Sequence, residues 1–223
     1  MSKPSEQSAN TAELCMPFIE LLPISGAAVS VVDQRGLQVS VAASDDVAAR
    51  LEELQFDLGE GPQFDCVRSG KPVLVSDVND ALGIPWPMFQ RGASSLAVGA
   101  IFTLPLRMGA VTVGAVTLHR ERPGPLTGQE LLEATTLAAA ITGVAVERAF
   151  HAIYRDEDDE TVHHPGIRRD VHQATGMILV QLDISATEAF ARLQARAFSM
   201  GTSVQAVALD VLEHRLDFSD LPD

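Results

Sequence analysis

Long apolar runs are missing from this 223-residue chain. None reaches the ~18 to 20 residues that a helix needs to span a bilayer, so no membrane partner is expected. The first residues, MSKPSEQSANTAE, lack the basic-then-apolar order of a secretory signal, and the expected location is the cytoplasm. Cysteine is scarce. Cys15 and Cys66 are the only two, without the spacing of metal ligands, and both read as ordinary thiols. Basic groups are few, 16 Lys and Arg against 30 Asp and Glu for a net charge of −14, a balance that argues against broad nucleic-acid binding. The Walker loop, the Gly-x-Ser-x-Gly elbow and the His-Glu-x-x-His metal motif are all missing. His163 and His164 before Pro165, with His172 beyond, have no carboxylate arrangement that demands a metal. An enzyme is not expected.

What is present describes a folded protein, with 46% apolar and 21% charged residues. The charge is uneven. Asp156-Glu157-Asp158-Asp159-Glu160 is an acidic run that reads as part of a solvated linker over 154–164. The stretch after it holds five basic residues, all Arg, against eight acidic ones, so any phosphate-facing charge must be local. The linker divides a domain at 11–153 from a smaller one at 165–217.

In the first domain, Leu14, Phe18, Ile19 and Leu22 have the spacing of a short amphipathic helix that Pro17 would bend. Residues 26–32 and 37–42 are β-rich runs joined by Asp33-Gln34-Arg35-Gly36, which predicts a hairpin. Ser44 is placed to cap a helix with Val47, Leu51 and Leu54 on its apolar face. A loop at 56–62, a helix from Pro62 to about Ser69 and a strand at 73–75 follow. Residues 96–106 and 110–119 form a second hairpin. Thr127-Gly128-Gln129-Glu130 is a capping box that starts a helix through 153, with Leu137, Ala138, Ile141, Val144, Ala145 and Ala149 on its apolar stripe. So long an Ala-rich helix is expected to find a partner helix in a homodimer. Two hairpins, a lone strand and flanking helices specify an α+β domain around an antiparallel sheet.

Leu58-Gly59-Glu60-Gly61-Pro62, followed by Val67-Arg68-Ser69-Gly70-Lys71-Pro72-Val73-Leu74-Val75-Ser76-Asp77-Val78, resembles the GAF family. So do Leu104-Pro105-Leu106 and Gly114-Ala115-Val116-Thr117-Leu118, and the element order matches over about 11–150. The resemblance implies a central antiparallel sheet with helices on one side and room for a small-molecule pocket under the loops on the other. Gly59 and Gly61 read as turn architecture. GAF domains bind varied small molecules or nothing, so the fold names no ligand. The NKFDE-like signature of cyclic-nucleotide-binding members is missing, Cys66 reads as a core residue instead of a bilin attachment point, and His119 and His151 do not read as haem ligands. No cofactor is predicted.

From Pro165 the pattern changes to three short helices: one over 167–182, one from the capping box Ser185-Ala186-Thr187-Glu188 to Gly201, and one from a second box, Thr202-Ser203-Val204-Gln205, to about Leu216. At 100° per residue, Val171, Ala174, Ile178 and Leu182 face inward, and Arg169, His172, Gln173 and Gly176 outward. The second helix turns Ala186, Phe190, Leu193 and Ala197 inward with Phe198 near the core side, and Arg192, Arg196 and Ser199 outward. The third buries Val204, Val207, Ala208 and Val211. A mid-helix glycine such as Gly176 costs about 1 kcal/mol against Ala. Close approach by another molecule would explain it, and so would a helix contact inside the bundle.

Val171-His172-Gln173-Ala174-Thr175-Gly176-Met177-Ile178-Leu179, then Ser185, Glu188-Ala189-Phe190, Leu193, Ala197 and Val207-Ala208 at their spacings, resembles the ANTAR domain, an RNA-binding antiterminator module of bacterial regulators. GAF followed by ANTAR is a familiar pairing, often actinobacterial. The resemblance implies a three-helix bundle, joined to the sensor through the long connector helix, that as a dimer binds paired RNA hairpin loops in a nascent leader and blocks a terminator. RNA contacts are then expected at Arg168, Arg169, His172, Gln173, Thr175, Gly176, Arg192 and Arg196. Thr175 and Gln194 stand where many members carry basic residues. A bundle that binds protein or DNA is the alternative, although the third helix offers a DNA groove only Arg215.

Overall fold

A computed structural model of the chain describes residues 13–32, 38–80, 85–155 and 169–220. The turn expected at 33–36, the linker residues 156–164 and Arg168 lie outside the described residues. Among those described, 13–56 and 60–155 make one compact unit, and 169–220 a second.

The first unit runs α1 (Met16–Leu21), β1 (Gly26–Val32), β2 (Gln38–Ala43), α2 (Asp46–Leu58), α3 (Pro62–Ser69), β3 (Val73–Val75), α4 (Pro87–Ala93), β4 (Ala100–Met108), β5 (Val111–Arg120) and α5 (Gly128–Arg155). Its five strands form one antiparallel sheet in the order β2-β1-β5-β4-β3. Both hairpins expected from the sequence are present, and β5 joins them by pairing with β1 from Gly26 opposite His119 to Val31 opposite Gly114.

Strand side chains alternate between the two faces. On one face, Ala27, Val29 and Val31 of β1, Phe102, Leu104 and Leu106 of β4, and Val116 and Leu118 of β5 are buried against Phe18 of α1 and Ala134, Ala138, Ile141, Ala145 and Ala149 of α5. Each large aliphatic or aromatic side chain so enclosed contributes about 1.5–3 kcal/mol. The small alanines let α5, 28 residues long, lie close on the sheet. Thr127 and Glu130 start it as expected: the Thr127 N–H donates to Glu130 Oε2 at 2.7 Å and the Glu130 N–H to Thr127 Oγ1 at 3.2 Å. The helix continues to Arg155, into the first residues expected to be linker.

Four local expectations change. Helix α1 begins at Met16, so Pro17 sits in the first turn, where no intrahelical donor is lost, and does not bend it. Ser44 does not cap α2; its hydroxyl accepts from the Ala27 N–H of β1, while Asp45 Oδ1 accepts the Ala48 N–H at 2.9 Å and serves as the cap. Helix α2 extends through Leu58, and its fully buried residues include Ala48, Leu51 and Phe56, whereas Val47 and Leu54 stay partly exposed. Along α5, Val144 is exposed and belongs to the outer face.

Candidate nucleic-acid interface

The second unit is α6 (Arg169–Leu182), α7 (Ala186–Met200), α8 (Val204–Leu212) and a closing 3₁₀ turn (Phe218–Asp220). Its core is small. Val171, Ala174 and Ile178 of α6, Ala189, Leu193 and Ala197 of α7, and Val204, Val207, Ala208 and Val211 of α8 are buried. Leu182 is half-buried. The expectation for α7 is corrected by one position: Ala189 is the buried residue, Ala186 at the helix start is exposed, and Phe190 is half-buried.

Ser185 and Glu188 form the reciprocal box, and the Ser185 N–H and hydroxyl hydrogen bonds hold the Glu188 carboxyl below its ordinary range, helped by Arg192. The second box does not form. Ser203 is the cap and accepts the Ala206 N–H at 3.2 Å, while Gln205 Nε2 donates to Asp170 Oδ2 at 2.7 Å, tying α8 to the start of α6. Helix α8 ends at Leu212, short of 216, because His214 takes a left-handed φ of 54°. The chain then returns so that Phe218 is buried and its N–H donates to Gln181 Oε1 of α6.

The expected contact residues separate into three groups. Arg169 opens α6, and Gln173 and Gly176 follow at the spacing of one helix face, both exposed. A Cβ on Gly176 would meet nothing within 4 Å, so this glycine does not relieve a contact inside the bundle. His172 and Thr175 are half-buried at the flanks. The Thr175 hydroxyl donates to the Val171 carbonyl at 2.6 Å, which leaves it only as an acceptor toward another molecule. On α7, Arg192 is exposed, but Arg196 is half-buried and its Nε is enclosed without a hydrogen-bond partner, contrary to the outward position expected. Arg215 lies past the end of α8 and pairs with Asp210 and Glu213, so it is neutralised. The phosphate-attracting charge described on α7 and α8 therefore centres on Arg192.

Phe198, expected near the core side, is 61% exposed. Counting from Leu193 by 100° per residue puts position 198 about 140° away, so helical spacing carried the signal.

In the first unit, the sheet face opposite α5 is not bare under its loops. Helices α2 and α3 supply a buried polar network there. Gln55 Oε1 accepts the Gln63 N–H at 2.8 Å, Gln63 Nε2 donates to Ser30 Oγ, Thr103 and Thr117 share their hydroxyls at 3.3 Å, and Gln38 and Ser40 donate to Glu52. Gly61, with φ 134°, stands where a Cβ would strike Gln55, and Glu60 Oε1 accepts the Met88 and Phe89 N–H groups at 2.9 Å each. The loop at 59–62 is thereby committed to holding α3 and α4. The Cys66 thiol donates to the Thr103 carbonyl, and burial pushes it up to about 12. Cys15 is also raised to about 12 by burial, with Glu52 and Asp45 adding to it. Both are protonated and weakly nucleophilic at neutral pH. His119 is buried and meets Asp45 Oδ1 at 3.2 Å. Burial opposes ionisation of Asp45, but hydrogen bonds from Ser44 and the Ala48 N–H together with His119 outweigh it and hold the carboxyl below its usual range. Among the described residues, no three His, Cys, Asp or Glu side chains converge as metal ligands, and no helix is long and apolar enough to cross a membrane. A surface groove of about 500 Å³ lies between the end of α3 and the β4–β5 turn, lined by Arg68, Lys71, Arg107 and Thr112 among others.

Comparison with known families matches a GAF domain over residues 12–147 and an ANTAR domain over 167–212. Among solved structures, a GAF domain region of a membrane protein from Geobacter sulfurreducens shares 13% identity at a TM-score of 0.50, covering 63% of this chain and 92% of that one. A sensor histidine kinase domain from Sinorhizobium meliloti shares 18% identity at a TM-score of 0.49, covering 70% and 99%. A type II free methionine-R-sulfoxide reductase from Thermoplasma acidophilum shares 14% identity at 0.46, covering 63% and 92%. No curated protein matches the chain.

Proposed function

Because the chain belongs to the GAF domain family and carries an ANTAR domain after it, which together make a sensor-regulator, we propose that it is a cytoplasmic, signal-responsive transcription antiterminator. In this reading the ANTAR domain at 165–217 binds RNA hairpin loops in nascent leaders, and the GAF domain at 11–153 is the sensor or dimerisation unit. The observation that carries it is Gly176. It sits in mid-helix on an exposed face with open space above it, so the cost of about 1 kcal/mol is not offset by packing within the bundle. Close approach by a partner backbone offsets it.

RNA contacts are assigned to Arg168, Arg169, Gln173, Gly176 and Arg192, with His172 and Thr175 at the flanks and Arg196 as a partly enclosed charge. DNA is the weaker partner, because α8 ends before Arg215 and that cation is already paired. The GAF and ANTAR pairing favours a regulator over an enzyme, and neither buried, protonated thiol is a nucleophile. The sensor ligand stays unspecified.

The homodimer expected through α5 is assigned to the outer face of that helix. Ile141 is 8% exposed and belongs to the core of its own chain, so it is not the seam. Leu132, Thr136, Ala139, Gly143 and Phe150 follow a heptad spacing and are exposed, with small residues in the middle that allow close helix approach.

The test is equilibrium binding of the full chain to a tandem-hairpin leader RNA across salt concentrations, in competition with duplex DNA. Arg192→Ala is expected to bind more weakly and to lower the salt slope by about 1. Equal binding by the variant removes Arg192 from the interface, and equal competition by DNA removes the RNA assignment.

A further inference from the structure

Three aromatic side chains are described in the helical unit: Phe218 is buried, Phe190 is half-buried, and Phe198 is 61% exposed. Phe198 does not stand alone. Ala191, Ala195 and Phe198 follow at i, i+4 and i+7 on α7, all exposed, and Arg192 borders the same strip. The two alanines leave a low floor beside the ring, so a flat group can reach its face. Arg192 lies six residues earlier, about 9 Å along the axis and about 120° around it, so its guanidinium and the ring serve different nucleotides.

The composition of this strip separates its occupants. A seam for a second copy extends over several turns, as the outer face of α5 does; this strip has one ring, two alanines and a cation. One ring and one guanidinium on the same helix, separated by nearly two turns, match two parts of an unpaired strand, a base with a π-face and a phosphate of an adjoining nucleotide. Glu188, one turn before Arg192, is hydrogen-bonded to the Ser185 N–H and hydroxyl and meets Arg192 only through longer-range attraction.

We propose that Phe198 is a base-stacking platform on which one unpaired loop base of the bound RNA lies while Arg192 holds a neighbouring phosphate. This rests on the RNA-binding reading above and adds to it the residue that selects among loops: the ring accepts any base with a free face and rejects loops whose bases are all paired or stacked internally.

The experiment uses the full chain and a hairpin RNA library with a constant stem and a randomised loop. The winning hairpin carries 2-aminopurine at each loop position in turn. The expected result is a fluorescence quench on binding at one loop position. Phe198→Ala abolishes that quench and weakens binding about tenfold or more, Phe198→Trp restores both, and circular dichroism stays unchanged because the side chain is exposed. If Phe198→Ala binds the selected hairpin as tightly as the natural chain, with the same quench, stacking is refuted while RNA binding stands. If the natural chain selects no hairpin, this inference and the RNA reading fall together. If Phe198→Ala changes the sedimenting mass and leaves RNA affinity intact, the ring belongs to an interface between copies and the proposal is overturned.

Discussion

Adding one methyl group at Gly176 is expected to move stability and RNA affinity in opposite directions. The position is mid-helix in α6 and exposed, and an added Cβ meets nothing within 4 Å. Replacing Gly by Ala there raises helix propensity and reduces the freedom of the unfolded chain, a gain of about 1 kcal/mol. For a unit of this size that corresponds to a rise in its thermal midpoint of roughly 4–8 °C, read by calorimetry as movement of the transition belonging to the helical unit. RNA binding should respond the other way. If the RNA backbone approaches closely enough to use the missing Cβ, the methyl group holds it off and weakens binding about tenfold, which is about 1.4 kcal/mol. Fluorescence anisotropy with a labelled hairpin reads that arm. A stabilised Gly176→Ala protein that binds RNA as tightly as the natural one would refute the reasoning, since nothing would then require the glycine.

Two further outcomes bear on other parts of the account. Leu132→Asp with Phe150→Asp, both on the exposed face of α5, should convert a dimer to a monomer in sedimentation equilibrium without lowering the thermal midpoint of the GAF unit; an unchanged mass would place the dimer elsewhere. Glu188 is held below its ordinary value of 4.5 in the folded protein by the Ser185 hydrogen bonds, so its contribution is present above the unfolded value and is lost as pH falls through the folded one. The thermal midpoint of the helical unit should therefore decline below about pH 4.5 more steeply in the natural chain than in Glu188→Gln, and parallel curves would show that the cap does not titrate as described.

How much of this was legible depended on how local the cause was. The Thr127–Glu130 and Ser185–Glu188 boxes could be read because both partners lie within four residues, and the boundaries of α5 and α7 followed. Ser44 read locally as the cap, but Ala27, a strand residue 17 positions away, donates to the Ser44 oxygen, and Asp45 accepts the helix N–H instead. Gln205 could have closed a second box, but Asp170 on another helix claims its amide. The alternation of Val29, Ser30 and Val31 was visible in the sequence, yet nothing local could show that Ser30 would meet Gln63 and that Gln63 would meet Gln55. The polar face of the sheet thus emerges only when β1, α2 and α3 are assembled. Of the residues expected to contact RNA, Gln173, Gly176 and Arg192 are exposed, as helical periodicity predicts. Arg196 was misplaced because neighbouring side chains decide what is enclosed at the α7 flank, whereas the exposure of Phe198 was already written in the helical spacing from Leu193.

The most direct measurement is crosslinking of the native protein to RNA in cells, followed by sequencing of the recovered fragments. Paired hairpins that overlap intrinsic terminators should be enriched, and that enrichment should be lost when Arg192 is replaced by Ala. Recovery of RNA no different in sequence or structure from total cellular RNA, for the natural chain and the variant alike, would contradict the antiterminator reading.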